Sequence, residues 1–333
     1  MMQSYTFLMK NSGRWFLLLL CLLLTLAPAT PAREAPDDFT AWLDQLREDA
    51  LAKGISAATL DAALADLAAP EPKVIERDQQ QPEQTISLQD YVTARVSPER
   101  IAEGRQMLRR YRTWLDRVEQ QYRVQRRFLV ALWGIESTYG RHAGTRPVIP
   151  SLVTLAYNTR RGDYFRRELL EALQILDAGH VSLARMQGSW AGAMGPFQFM
   201  PSSYSHYAVD ADGDGRINIW GSVPDALASA ANYLAKARWK HDQTWGRPVR
   251  LPKNFDAALA GLDNRLPLSR WQELGVRRSN GRDLPQRNLQ ASLILPDGRN
   301  GPAYLVYGNF RALLRWNRSS SFAVAVGTLA DSY

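Results

Sequence analysis

One carboxylate in this sequence stands where a general acid would be expected. Glu136 follows the segment 128–135, whose apolar side chains cover nearly the whole circumference of a helix, a pattern typical of a buried helix. A carboxylate at the end of such a helix loses hydration, which raises its pKa above the ordinary value of about 4.3. A raised pKa suits a general acid that works near neutral pH. The alternative is a structural Glu136 that faces solvent or accepts a bond from a loop amide.

A second segment, 188–204, is rich in glycine, aromatic and polar residues at once. Glycines let a backbone approach a ligand closely. The flat side chains that could stack on sugar rings are Trp190, Phe197 and Phe199. The side chains that could hydrogen-bond to hydroxyl or acetamido groups are Ser189 and Gln198. The alternative is a tightly packed core loop, to which some of these rings would belong.

The two segments together resemble a known family. Two motifs carry the resemblance: Gly-Ile-Glu-Ser at 134–137 with Tyr139-Gly140, and Ser-Trp-Ala-Gly-Ala-Met-Gly-Pro-Phe-Gln-Phe-Met-Pro-Ser at 189–202. In this order they are similar to the motifs of the lytic murein transglycosylase B family, glycoside hydrolase family 103. The resemblance extends from about Tyr91 to Asn317. It implies a mainly α (α+β) fold, with a lysozyme-like core, a helical N-terminal domain and a small β-rich insertion.

The resemblance also implies a reaction. The family's glutamate that matches Glu136 is the sole acid/base: it protonates the bond between N-acetylmuramic acid and N-acetylglucosamine, then deprotonates the muramyl 6-hydroxyl. A 1,6-anhydro ring closes and no water is consumed. Most glycosidases instead use two carboxylates about 5–9.5 Å apart. The two motifs contain no second acid that could serve as the second catalytic carboxylate. Asp163 and Glu171 are candidates for it only because acidic residues are common, and each is more simply a surface charge. The alternatives are a hydrolysing muramidase and a non-catalytic cell-wall-binding protein.

Further groove residues are implied by the resemblance alone. The positions that match substrate-binding residues of the family are Tyr91, Ser189, Met194, Gln198, Tyr233 and Asn317. Arg160 and Arg161 match a pair that meets peptide carboxylates. Trp316 and Phe322 stand in place of tyrosines, so a flat surface is kept and the tyrosine hydroxyls are lost.

An acidic loop predicts a metal site. Residues 210–218 fit the first nine positions of an EF-hand loop, which supplies oxygen ligands to a hard cation. The predicted ligands are Asp210, Asp212, Asp214, the backbone carbonyl of Arg216 and, because Gly221 stands where a glutamate is expected, Asp225. The ion would be structural, Ca²⁺ or Na⁺, and no cofactor is implied for catalysis. The alternative is an Asp- and Gly-rich turn without metal.

These segments need elements that position them. Apolar spacing predicts helices within 38–68, 98–122, 127–139, 163–178, 225–237 and 308–330. Proline and glutamine predict an extended or looped stretch over 69–88, and short apolar runs predict strands after residue 245. The expected organisation is a helical N-terminal domain at 30–125, a catalytic core at 126–245, a β-rich subdomain at 246–306 and a C-terminal helix at 307–333 that completes the core.

The first 29 residues predict export. Lys10 and Arg14 precede an apolar run over 15–26, and a small-x-small cleavage site follows at 27–29, as in secretory signal peptides. The alternative is a retained anchor. Cys21, the single cysteine, lies in this segment, so a mature chain has no disulfide, thiol nucleophile or cysteine-ligated zinc. A lipid anchor is not expected, because Leu20 precedes the cysteine where lipoprotein signals carry a small residue. The predicted location is the periplasm.

The charge predicts an anionic partner. The net charge is +8, and loss of Lys10 and Arg14 with the signal leaves +6. Peptidoglycan, which carries peptide carboxylates, fits such a partner. Nucleic acid does not, because the chain has no nucleic-acid-binding motif and is expected outside the cytoplasm. We expect a monomer, with other cell-wall enzymes as possible partners.

Overall fold

The computed structural model describes residues 38–80, 86–158 and 160–333. The predicted signal peptide, 1–29, lies outside these residues. The chain begins with six helices: α1 (Phe39–Ala52), α2 (Ala57–Leu64), α3 (Pro72–Gln79), α4 (Leu88–Arg95), α5 (Pro98–Arg110) and α6 (Arg112–Tyr122). Side-chain oxygens of Asp38, Ser56, Ser87 and Ser97 accept bonds from amides of the first turns of α1, α2, α4 and α5, which satisfies donors that a helix leaves unpaired.

Two details correct the sequence-based expectations. Residues 69–88 are not wholly extended, because they contain α3, whose Pro72 occupies a first-turn position that needs no N–H. Val74 anchors this helix in the core with no exposed surface. The segment 98–122 forms two helices separated at Tyr111.

The middle of the chain supplies the central helix and its neighbours. These elements are α7 (Arg126–Ser137), β1 (Arg146–Pro147), α8 (Val148–Asn158), α9 (Gly162–Asp177), β2 (Gln187–Gly188), α10 (Pro201–Tyr207) and α11 (Val223–Lys236). β1 and β2 pair as an antiparallel ribbon. Every residue of α7 from Phe128 to Ile135 is buried, as its uniform apolarity predicts. The site glutamate thus stands at the end of a fully packed helix.

A β-rich part follows. Its elements are β3 (Gly246–Arg250), β4 (Leu266–Pro267), α12 (Leu268–Glu273), β5 (Arg277–Arg278), β6 (Gln290–Ile294) and β7 (Ala303–Val306). The strands form an antiparallel sheet in the order β4-β6-β7-β3-β5. They surround a hydrophobic cluster of their own, with Trp271, Leu293 and Leu305 at its centre. The strands predicted near 249, 291 and 303 are confirmed, while the exact limits of the predicted domains stay predictions.

The turn between β6 and β7 forms hydrogen bonds with the N-terminus of α4. Both carboxylate oxygens of Asp297 accept the backbone N–H of Leu88, at 2.8 and 3.1 Å. Leu88 is the first residue of α4. A carboxylate at a helix N-terminus is favourable because the amides there are unpaired and the helix dipole is positive. The β-rich part therefore fixes the start of α4.

The chain returns to the main core through two helices, α13 (Gly308–Trp316) and α14 (Ser320–Asp331). The single C-terminal helix expected from the sequence is thus interrupted, and Asn317 ends the first of the pair. α7 packs against α5, α6, α11 and α14. In the part of the chain that the structure describes, we find no helix with both the length and the apolarity needed to cross a membrane.

Candidate active site

The end of α7 is fixed by backbone conformation and by the glycine-rich segment. Thr138 and Tyr139 adopt left-handed conformations, with φ of 52° and 57°, which ends the helix at Ser137. The Ser137 hydroxyl donates to the carbonyl of Pro196 at 2.6 Å and accepts the amide of Gly140 at 2.9 Å. The two sequence motifs therefore meet directly at the residue next to Glu136.

The carboxylate of Glu136 is half-buried and has a neutral donor. The indole Nε1–H of Trp316, at the end of α13, donates to Glu136 Oε1 at 2.7 Å. Burial raises the pKa of Glu136 from its ordinary 4.5 to about 7, while the Trp316 bond and the positive charge of Arg95 act in the opposite direction. The sequence predicted the raised pKa and its cause. It did not predict that an indole would supply a hydrogen bond to the acid.

An aromatic cluster surrounds Trp316. The centroid of the Trp316 ring lies 4.6 Å from that of Tyr233, 5.3 Å from that of Phe199 and 6.3 Å from that of Phe197. The Tyr233 hydroxyl donates to the carbonyl of Arg315 at 2.7 Å. This cluster joins α11, α13 and the glycine-rich segment beside the acid.

Helix α4 brings a tyrosine and an arginine to the same carboxylate. The guanidinium of Arg95 lies 5.2 Å from the Tyr91 ring centroid. Burial raises the pKa of Tyr91, Arg95 lowers it and the charge of Glu136 raises it, so these groups share one electrostatic environment. The resemblance predicted Tyr91. Sequence reasoning missed Arg95, although its position one turn after Tyr91 was a usable signal.

Ser189 and Gln198 are oriented by the backbone around them. The Ser189 hydroxyl oxygen accepts the amides of Ala191 and Ala193, at 3.3 and 3.1 Å, which leaves its proton to donate. Gln198 has a φ of 51°, and its Nε2 donates to the carbonyls of Ala143 and Gly195, both at 2.9 Å. Its Oε1 is then the atom that can accept from a ligand.

Two predicted groove residues are buried. Met194 has no exposed surface and Phe322 is 3% exposed; both belong to the main core. Their predicted role as groove-lining side chains is wrong in this structure, because side chains packed in the apolar core with almost no exposed surface cannot contact a ligand in the groove. Phe322 lies in the first turn of α14 and its side chain enters the core beneath.

The remaining predicted groove residues lie at the surface. Asn317 is exposed, and its Oδ1 accepts the amide of Ser319 at 3.0 Å. Arg160 and Arg161 are exposed beside the start of α9, and Arg161 forms an ion pair with Asp78 of α3 at 2.9 Å. In the described ranges 38–80, 86–158 and 160–333, the Glu136 carboxylate accepts a side-chain hydrogen bond from Trp316, and none from Asn317.

The acidic loop gathers three of its predicted carboxylates. Carboxylate oxygens of Asp210, Asp212 and Asp214 all lie within 4.8 Å of one another. Oxygen-only donors at this spacing suit a hard cation. Asp210 accepts the amides of Gly213 and Gly215, at 2.7 and 2.8 Å, and Arg216 donates its amide to Asp214 at 2.8 Å.

Asp225 is a correction to the predicted metal ligands. It is fully buried, and its two oxygens accept the amides of Ala211 and Asn218, both at 2.8 Å. It is absent from the cluster of three carboxylates. Asp225 therefore joins the two sides of the loop to the first turn of α11 rather than closing a ligand shell.

Comparison with known proteins decides the family. A family model described as "Transglycosylase SLT domain" matches residues 38–331. The chain belongs to this family. It is 35% identical over 252 residues to the membrane-bound lytic murein transglycosylase B of Escherichia coli (strain K12), which covers 71% of this chain and 64% of that protein. The chain thus spans less than two thirds of that relative's length.

Solved structures of transglycosylases agree with this membership. SltB3 from Pseudomonas aeruginosa, in complex with NAG-anhNAM-pentapeptide, is 48% identical with a TM-score of 0.86, over 89% of this chain and 80% of that one. The Escherichia coli lytic transglycosylase SLT35, in complex with calcium, is 29% identical with a TM-score of 0.74, over 87% and 91%. The predicted mainly α fold with a lysozyme-like core is confirmed.

Burial of Glu136 makes stability depend on pH, which Glu136→Gln tests. Below pH 4.5 the side chain is protonated in both folded and unfolded chains. As pH rises from 4.5 to about 7, the unfolded chain loses this proton first, so the folded state is progressively destabilised. We expect Glu136→Gln to unfold with a free energy up to about 3 kcal/mol higher than wild type at pH 8, and similar at pH 4.

Urea titrations at several pH values measure this difference. Glu171→Gln, the same substitution on α9, is the control for a change that is unrelated to the site. A difference between wild type and Glu136→Gln that stays constant from pH 4 to pH 8 would contradict the raised pKa.

Proposed function

We propose that this protein is a peptidoglycan lytic transglycosylase that cleaves the β-1,4 bond between N-acetylmuramic acid and N-acetylglucosamine and forms 1,6-anhydromuropeptides. The observation that carries the proposal is Glu136, half-buried with a pKa of about 7 and bound by a neutral indole donor. Its charged neighbour in the described part of the chain is Arg95, a cation, and not a second carboxylate. The complexes of SltB3 with NAG-anhNAM-pentapeptide and NAG-NAM-pentapeptide support this substrate class.

The proposed reaction uses Glu136 twice. Protonated Glu136 gives its proton to the glycosidic oxygen, and the bond to the muramyl anomeric carbon breaks. The substrate's acetamido group stabilises the oxocarbenium-like centre, so a second carboxylate is not needed. The Glu136 carboxylate, stabilised by the Trp316 N–H and the charge of Arg95, then takes the proton of the 6-hydroxyl. That oxygen closes the ring, and Glu136 is again protonated.

The neighbouring side chains have proposed roles in holding the sugar. The Ser189 hydroxyl proton and the Gln198 Oε1 are free to bond to acetamido and hydroxyl groups, because their other atoms are occupied by backbone groups. Tyr91 and Tyr233 flank the acid and offer ring faces. Asn317 and the pair Arg160 and Arg161 are proposed to meet more distant parts of the strand, the arginines through peptide carboxylates.

The product masses test this function. Purified peptidoglycan should release fragments lighter by one water molecule than hydrolysis gives, and Glu136→Gln should release none. Removing a general acid typically costs about 10²–10⁴-fold in rate. Mass spectrometry of the soluble fraction measures both, with Asp163→Asn and Glu171→Gln as active controls.

Other products would identify another function. Fragments with a reducing-end muramic acid would mean a hydrolysing muramidase that uses a positioned water molecule. Binding to peptidoglycan without any product from the wild-type protein would mean a cell-wall-binding protein in which Glu136 is structural.

We also propose a structural Ca²⁺ ion in the acidic loop, held by Asp210, Asp212, Asp214 and the carbonyl of Arg216. The spacing of the three carboxylates supports it, as does the calcium complex of the relative SLT35. The ion would neutralise three clustered negative charges and join the loop to the base of α11. It has no part in the proton transfers.

Metal removal tests the ion. Ca²⁺ at about one hundred times its dissociation constant should stabilise the folded protein by about 2.7 kcal/mol over the EDTA-treated form. Asp212→Asn with Asp214→Asn should abolish this difference in thermal unfolding, and Asp263→Asn, an exposed carboxylate elsewhere, should keep it. Equal stabilisation by Na⁺ alone would identify sodium as the ion, and no stabilisation by either would identify the loop as a metal-free turn.

We further propose that residues 1–29 direct export and are removed, so that a monomeric enzyme acts in the periplasm, alongside other cell-wall enzymes. The position of the substrate outside the cytoplasm supports this location. N-terminal sequencing of the protein from a periplasmic fraction should begin near residue 30. A retained N-terminus in the membrane fraction would mean an anchor.

A further inference from the structure

A large cavity lies apart from the residues that surround Glu136. It has a volume of about 990 Å³. Its walls come from the end of α5, the loop after α7, residues 179–187 and the acidic loop. Glu136, Trp316, Tyr233 and Tyr91 are not among the residues that line it. The chain therefore offers a concave surface that does not include the acid or the side chains nearest to it.

Arginines outnumber carboxylates among the residues that line the cavity. Four arginines line it, and its single carboxylate, Glu103, is already paired with one of them, Arg141. The other three are Arg110, Arg185 and Arg216. Within residues 38–80, 86–158 and 160–333, none of these three has a carboxylate within 4.0 Å. Unpaired guanidinium groups around one concavity favour an anionic ligand, above all a carboxylate that can accept two bonds.

An unused donor lies in the same wall. Trp133 is 4% exposed, and its Nε1–H has no hydrogen-bond partner in the described structure. A buried donor without a partner is destabilising. The nitrogen itself has almost no accessible surface, so a ligand oxygen would reach it only with a small movement of its neighbours. Gly140 lies against the indole, and a Cβ at this position would be in ordinary van der Waals contact with Nε1, at 3.6 Å.

Flat rings complete the lining. Tyr111 and Trp220 join Trp133 in the walls, and the Trp220 Nε1–H is fixed by a bond to the carbonyl of Gln187 at 2.8 Å. Aromatic faces next to cationic groups suit a ligand that has both apolar sugar or alkyl surface and carboxylates. The combination separates this cavity from a simple phosphate site, which would need no rings.

We propose that the cavity is a second binding site for peptidoglycan, which receives the carboxylates of a stem peptide and its attached sugar. The inference rests on the proposed function, since it takes peptidoglycan as the material the protein meets. A strand held here while another is held at Glu136 gives the enzyme two contacts with one sacculus. Two linked contacts strengthen binding through effective concentration, without any change in the cleft.

Charge reversal at the cavity tests the site. Arg110→Glu with Arg185→Glu, made in the Glu136→Gln protein, should weaken binding to intact sacculi by about tenfold, because two favourable pairings become repulsive. The control is Arg109→Glu with Arg282→Glu, which changes net charge equally at exposed positions outside the cavity. The control should bind as the parent does, and thermal unfolding checks that both variants remain folded.

The Trp133 indole N–H reports occupancy directly. In ¹H–¹⁵N spectra of the Glu136→Gln protein, its resonance, assigned by its loss in Trp133→Phe, should change position as a disaccharide pentapeptide is added. The shift should be lost in the Arg110→Glu, Arg185→Glu variant and weakened when the stem carboxylates are amidated. An unmoved resonance at saturation of sacculus binding would overturn the site.

Cleavage rates on soluble strands and on intact sacculi distinguish the second site from the proposed catalytic function. With Glu136 restored, the cavity variant should cleave short soluble strands at the wild-type rate and intact sacculi about tenfold more slowly. Equal cleavage of sacculi by the cavity and control variants would overturn the second site and leave the transglycosylase proposal intact. Absence of anhydro products from wild type would instead overturn the proposed function.

Discussion

The hydrogen bond between the Trp316 indole and the Glu136 carboxylate joins residues 180 positions apart, and the rest of the site depends on it. Burying a carboxylate is costly unless it is hydrogen-bonded. A cation in direct contact would remove that cost but would also hold the pKa low and make Glu136 a poor acid. The indole N–H is neutral, so it satisfies the oxygen and leaves the pKa at about 7. Arg95 acts through its charge and not through an ion pair.

The position of that carboxylate is set by backbone rather than by flexible side chains. The left-handed residues after Ser137 end α7 at a fixed point, and the Ser137 hydroxyl bonds on both sides of the junction. The amides of Met194 and Phe199 exchange bonds with each other's carbonyls, at 2.7 and 2.9 Å, which closes the glycine-rich segment on itself. A proton donor held this firmly needs little reorganisation when it reacts.

Much of this arrangement could be predicted from the sequence, and the exceptions have physical causes. The buried α7 and the strands near 291 and 303 follow from apolar patterns, which act locally. The burial of Met194 and Phe322 does not, because the same residue types serve equally in a core and in a groove. The sequence predicts Asp225 as a metal ligand because a carboxylate that accepts backbone amides has the same sequence signature as one that binds a cation.

The hydrogen bonds from the first amide of α4 to Asp297 connect the β-rich part of the chain to the acidity of the proton donor. α4 carries Arg95, and the interaction of its charge with Glu136 weakens as the distance between them grows. By fixing the start of α4, the hairpin keeps this charge near the carboxylate and so helps to set how strongly Glu136 retains its proton.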